Sequence, residues 1–197
     1  MTASFLHVGF SQWAISTVGL LIVGSIFEGS GMGKIKMFVF FVVTSLAAQC
    51  FSLLCGDAEA PLTVGGSGVL FGMLGGLLAL TIVNFQALEK AGPLRICIIF
   101  MVVFLLIILL IISVGEEIGH HFRSGDVYGN MGGFFGGIFF GMLTVPAVRQ
   151  SATRAGSYEG KIRKIGGGLS LLYFGIIFTL LYTIKDDFKC IPYYEKC

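Results

Sequence analysis

Apolar residues in this chain fall into long unbroken runs. Neither the strict alternation of a half-buried strand nor the narrow stripe of a soluble amphipathic helix is present. Six runs stand out: Phe5–Phe27, Met37–Gly56, Val64–Leu88, Ile96–Gly115, Tyr128–Val148 and Ile165–Ile184. Each has the roughly 20 residues that a helix needs to cross the hydrocarbon core. Within hydrocarbon only helices and closed barrels satisfy their own backbone polar groups. Barrel strands would be about 10 residues long with in–out alternation. Ile96–Gly115 is apolar on all sides instead. The pattern therefore predicts an all-α polytopic membrane protein with six transmembrane helices. The first run is not read as a secretory signal, because no Lys or Arg precedes Lys34 and the run exceeds a signal h-region.

Composition agrees. The 197 residues are 55% apolar and 12% charged, with a mean hydropathy of +0.91. Soluble domains carry about 25% charged residues. A soluble enzyme and a disordered chain are poor readings on that ground, and a net charge of +2 is too small to imply a nucleic-acid partner. The charges sit almost wholly between and beyond the runs. If successive helices alternate in direction, one side carries Lys34, Lys36, Lys90, Arg95, Arg149, Arg154, Lys161, Arg163 and Lys164 against Glu28, Glu89 and Glu159. The other side carries Arg123, Lys185, Lys189 and Lys196 against Asp57, Glu59, Glu116, Glu117, Asp126, Asp186, Asp187 and Glu195. The bias of basic residues toward the cytoplasmic (cis) side then places both termini on the trans side: lumen, intermembrane space or periplasm. The basic stretch 151–164 reads as a cis-side loop at anionic headgroups.

Cys50, Cys55 and Cys97 fall in or near the spans, where small thiols pack as apolar groups. Cys190 and Cys197 lie in the trans-side tail 185–197. They are a candidate disulfide or two free thiols, since trans compartments are more oxidising. The only histidines are His7, His120 and His121, and no Cys-x-x-Cys occurs. The expectation is therefore no metal and no cofactor, with lipid as the one candidate bound molecule. Spans free of buried charge also argue against a translocation path, which leaves a transporter or channel subunit as a lesser alternative.

Two spans carry an unusual glycine pattern. The third begins Gly65-Gly66-Ser67-Gly68-Val69-Leu70-Phe71-Gly72 and continues to Gly75 and Gly76. The fifth contains Asn130-Met131-Gly132-Gly133, then Gly136, Gly137 and Gly141. Glycines three or four apart give a helix face without side chains, so that backbones approach closely. Gly68, Gly72 and Gly75 would pack on Gly133, Gly137 and Gly141. Such packing would bring Ser67 near Asn130.

The segment Gly65-x-Ser67-Gly68-x-x-Phe71-Gly72-x-x-Gly75 resembles the nucleophile helix of the rhomboid intramembrane serine proteases. The fifth span is similar to their glycine-rich helix that carries the catalytic histidine. The start, from His7 through Gln12 to Ser16, resembles the family's second helix, which reads His-x-x-x-x-His-x-x-x-Asn. Together the likeness covers roughly residues 5–150. It implies a rhomboid-like bundle that lacks the family's first helix (dropped, or absent from a processed or partial chain) and adds a C-terminal helix at 165–184. The implied domain plan is a five-helix core at 1–150, the loop 151–164, that added helix, and the tail.

Departures from the family pattern fall on the chemistry. Rhomboids use a Ser–His dyad, in which the imidazole takes the serine proton. Asn130 stands at that histidine's position. An amide has no lone pair basic enough for the task near pH 7. Loss of such a base costs on the order of 10⁴–10⁶ in rate. In the oxyanion region His7 is kept, whereas Gln12 and Ser16 replace the second His and the Asn. One donor there is worth on the order of 10²–10³. His120 and His121 are read as loop histidines beside Glu116 and Glu117; a helical path would leave His121 about 13 Å from Asn130. The expectation is a catalytically inactive rhomboid-like protein: a structural subunit of a larger membrane complex or a binder of client transmembrane helices. An active protease with a non-standard base is the enzymatic alternative. Expected partners are membrane lipids and other transmembrane subunits. The expected location is the mitochondrial inner membrane or a secretory-pathway membrane.

Overall fold

The structure, a computed structural model, describes residues 10–55, 66–85, 126–147 and 155–184, with nine further residues within 96–111. All the regular structure among them is helical. In chain order the helices are α1 (Phe10–Gly29), α2 (Lys34–Cys55), α3 (Ser67–Val83), α4 (within 96–111), α5 (Val127–Thr144) and α6 (Ala155–Ile184). Two of them, Lys34–Cys55 and Tyr158–Thr183, are long and apolar enough to cross a bilayer by length and composition. Trp13–Gly29 and Ser67–Val83 are apolar but shorter.

α3 is the centre of the bundle. It is apolar on every side, as a helix enclosed by others must be, and most of its side chains are buried. α2 runs antiparallel to it through a ladder one turn apart. Phe40 lies over Gly76, Thr44 over Gly72 and Ala48 over Gly68. α1 runs parallel to α3, with Gly19 against Leu70 and Phe27 against Gly76. The Phe27 and Phe40 rings meet at 5.6 Å, and Phe40 also stacks on Phe140 at 6.0 Å. Thr44 and Thr81 spend their hydroxyls on carbonyls of their own helices, so neither leaves a buried polar group unmet.

The turn from α1 to α2 is set by one glycine. Gly31 adopts φ +86°, a conformation that costs glycine little. Its N–H donates to the Glu28 carbonyl at 3.0 Å, and the Met32 N–H donates to the Phe27 carbonyl at 3.1 Å. That pair of bonds is a Schellman motif. Phe27 and Met32, the two positions whose apolar side chains accompany this motif, are both buried in the core.

Several boundaries differ from those read off the hydropathy. α1 ends at Gly29, two residues beyond the apolar run, because the Schellman turn follows it. α3 stops at Val83, well before Leu88, where Asn84 turns its side-chain amide back to the Leu80 carbonyl at 2.8 Å. α5 stops at Thr144, ahead of Pro146, which cannot continue a helix. The largest correction concerns 151–164. From Ala155 onward it is the start of α6, not a loop. Its charged residues are good helix formers, and Glu159 bonds Arg163 one turn on at 2.8 Å.

α1, α3 and α5 run one way and α2 and α6 the other, so the described charges separate cleanly. Glu28, Lys34, Lys36, Glu159, Lys161, Arg163 and Lys164 lie at one end of the bundle, and Asp126 lies at the other. At the basic end α6 is tied to its neighbours. Arg163 donates to the carbonyls of Leu143 (2.7 Å) and Val145 (2.8 Å), and the Tyr158 hydroxyl donates to that of Ile82 (3.3 Å).

Candidate functional site

The site lies where the first turns of α3 and α5 meet, at the end opposite the basic one. These two helices are the most closely packed pair in the molecule, and the seam between them is built from glycine. A Cβ at Gly68 would come within 3.2 Å of the Gly129 carbonyl oxygen and 2.7 Å of the Ala48 Cβ. A Cβ at Gly133 would press on the Gly68 carbonyl, and one at Gly137 on the Gly72 carbonyl. One at Gly75 would collide with the Phe134 carbonyl, and one at Gly141 would sit 3.2 Å from the Gly76 Cα and 2.8 Å from the Ala79 Cβ. Gly132 turns instead toward α2, against Phe51 and the Ala47 carbonyl. Backbone therefore lies directly on backbone along about three turns of α5, a closeness that any side chain would prevent.

This seam fixes Ser67 and Asn130. Ser67 opens α3; it is half-buried and follows Gly66, which offers no side-chain cap. Asn130 sits in the first turn of α5 and is 4% exposed. That turn is capped by Asp126, whose Oδ1 accepts the Gly129 N–H at 2.7 Å. The two residues flank the Gly68–Gly129 contact in one layer of the bundle. Ser16 on α1 is buried, one turn from the Gly19–Leu70 contact, which sets it level with Ser67. His7, Gly65, His120, His121, Cys190 and Cys197 lie outside the described residues, as does the side chain of Gln12. Among the described residues no cluster of His, Cys, Asp or Glu could hold a metal ion.

Chemically, the layer offers a hydroxyl, a carboxamide and the N–H groups of two helix starts, which together attract negative charge. The carboxamide can donate and accept hydrogen bonds but cannot take a proton near neutral pH. Three features were not legible in the sequence. Ser52 is buried on α2, one turn beyond the Ala48–Gly68 contact. Gln49 donates to Ser45 at 3.3 Å within the span. Tyr173 of α6 donates to the Gly132 carbonyl at 2.8 Å. The first two carry a faint signal, polar residues spaced three and four apart at 45, 49 and 52; the third carries none.

An all-helical bundle with an apolar exterior and a glycine seam at its centre defines a polytopic membrane protein of helix-packing type. The chain belongs to the Rhomboid family: the Rhomboid domain model matches residues 1–147. It is also similar to RHOMBOID-like protein 5 of Arabidopsis thaliana, with 30% identity over 86 residues, covering 44% of this chain and 28% of that one. The chain thus spans under a third of that relative's length. No solved structure matches significantly.

Proposed function

We propose that this chain is a catalytically silent Rhomboid-family membrane protein. In this reading it acts as a structural subunit of a membrane complex or as a binder of transmembrane helices. The observation that carries the reading is Asn130, a carboxamide in the layer of Ser67 where the family's chemistry calls for an imidazole. With no proton acceptor there, the Ser67 hydroxyl stays protonated and unreactive. The glycine seam needs no catalytic chemistry to be useful, since close, shape-specific helix packing is itself a structural role. Partners are then lipids and other membrane helices, with no cofactor beyond bound lipid. The basic end faces the cis side and Asp126 the trans side, in the mitochondrial inner membrane or a secretory-pathway membrane.

The test is a fluorophosphonate probe on the purified chain in mild detergent, beside Ser67→Ala and Asn130→His. Silence predicts no labelling that depends on Ser67. Labelling of the wild type that disappears in Ser67→Ala would refute it. Purification under native conditions, with identification of proteins that co-migrate in stoichiometric amount, tests the subunit role.

A further inference from the structure

The Rhomboid match ends at residue 147, before α6 begins. The geometry points to α6 as a two-point brace that holds α5 in register on α2 and α3, without which the matched part loses its packing. This does not depend on whether Ser67 is reactive.

The first point is the basic end. A helix C-terminus leaves carbonyls without intrahelical partners. α5 cannot extend past Pro146, so its last carbonyls need donors from elsewhere. Arg163 supplies them. Its planar guanidinium spans the Leu143 and Val145 oxygens with separate N–H groups, a reach that Lys does not have. Glu159 holds the Nε at 2.8 Å and so aims the fork. Asn84 joins α3 to the same end of α5 through the Pro146 carbonyl at 3.1 Å, and Tyr158 joins α6 to α3.

The second point is Tyr173, ten residues and about 15 Å further along α6. Its hydroxyl bonds the Gly132 carbonyl, while its ring stacks parallel on Phe51 of α2 and meets Phe139 of α5 edge-on. Between the two points Gly166 lets α6 rest directly on Met142 and the Phe139 carbonyl.

A glycine seam needs such a brace. Lipid gives helices no hydrophobic drive to associate, so the seam is held by close contact alone. Contact energy falls steeply when surfaces part by even 0.5–1 Å. Two anchors three turns apart prevent both tilt and slide of α5.

The test uses the full chain with a protease site placed within 148–154, tagged at the N-terminus, purified in mild detergent and then cut. In the wild type the α6 fragment stays with the tagged fragment through gel filtration. In the Arg163→Ala/Tyr173→Phe double variant most of it is lost, and Arg163→Lys does not restore wild-type retention. Separation of the cut wild type, or full retention in the double variant, would overturn the brace. If the double variant aggregates before cutting, Tyr173→Phe carries the test, because it deletes a single oxygen. Release of α6 should then be about five-fold faster than in the wild type, and an unchanged rate refutes the inference.

Discussion

Gly137→Ala is the sharpest probe of how this bundle coheres. The added methyl would fall on the Gly72 carbonyl oxygen and lie 2.7 Å from the Gly72 carbon and 2.9 Å from its Cα. Ordinary van der Waals contact starts near 3.4 Å. The obstruction is backbone on both sides, so no rotamer change relieves it, and α5 must move off α3 by roughly 1 Å. That opens the contacts at Gly68, Gly75 and Gly141 as well. A seam of some tens of atom pairs at ~0.1–0.2 kcal/mol each, losing a quarter to a half of its well depth, forfeits about 2–3 kcal/mol. Overpacked cores show similar penalties, about 1–3 kcal/mol. Alanine's helix propensity returns at most about 1 kcal/mol. For a chain of this size each kcal/mol moves the midpoint roughly 2–4 °C, so the net loss of about 1–3 kcal/mol should lower the melting temperature by roughly 2–12 °C. Gly168→Ala is the matched control, because a methyl there meets nothing within 4 Å. It should be neutral or slightly stabilising. Buried Cys50 reports the transition through a thiol-reactive dye, with the other four cysteines replaced by serine. Equal melting temperatures for the two alanine variants would refute the backbone-contact account.

Three further outcomes follow from other contacts. Asp126→Ala removes the cap on α5 and should cost about 1 kcal/mol in the same melt, with Asp126→Asn recovering most of it. Phe40→Ala empties the junction between Phe27, Gly76 and Phe140 and should cost about 3–5 kcal/mol, enough to lower the yield of monodisperse protein on gel filtration. Asn84→Ala breaks the bonds to Leu80 and Pro146 and should cost about 1–3 kcal/mol, and amide hydrogen exchange at Val145 and Ala147 should rise while that at the start of α5 stays unchanged.

Glycine spacing was the most informative pattern in the chain. Residues 68, 72 and 75 and residues 133, 137 and 141 were legible as two smooth faces because a missing Cβ is visible in sequence without knowledge of the partner. The long apolar runs were legible for a similar reason, since hydropathy needs no tertiary context. Helix ends were less so. Hydropathy marks where apolar character stops, whereas the backbone stops where a cap or a proline stops it. Hence α1 runs past its apolar stretch to the Gly31 turn, and α6 begins ten residues before its own. Arg163 and Tyr173 were opaque. Their partners lie 18 to 41 residues away and are carbonyl oxygens, which every residue has and which leave no mark in a sequence.

The same reasoning separates architecture from chemistry in this molecule. Gly68 and Gly133 set the close approach of the first turns of α3 and α5, because each lies directly against backbone of the facing helix. A substitution at 130 acts first on the proton affinity of the layer, since residue 130 is not one of the seam glycines. A substitution at 133 or 137 does the reverse. Under the proposed silent role only the second kind of change is costly to the protein. A methyl on the seam would then not be tolerated, because the atoms it meets are backbone.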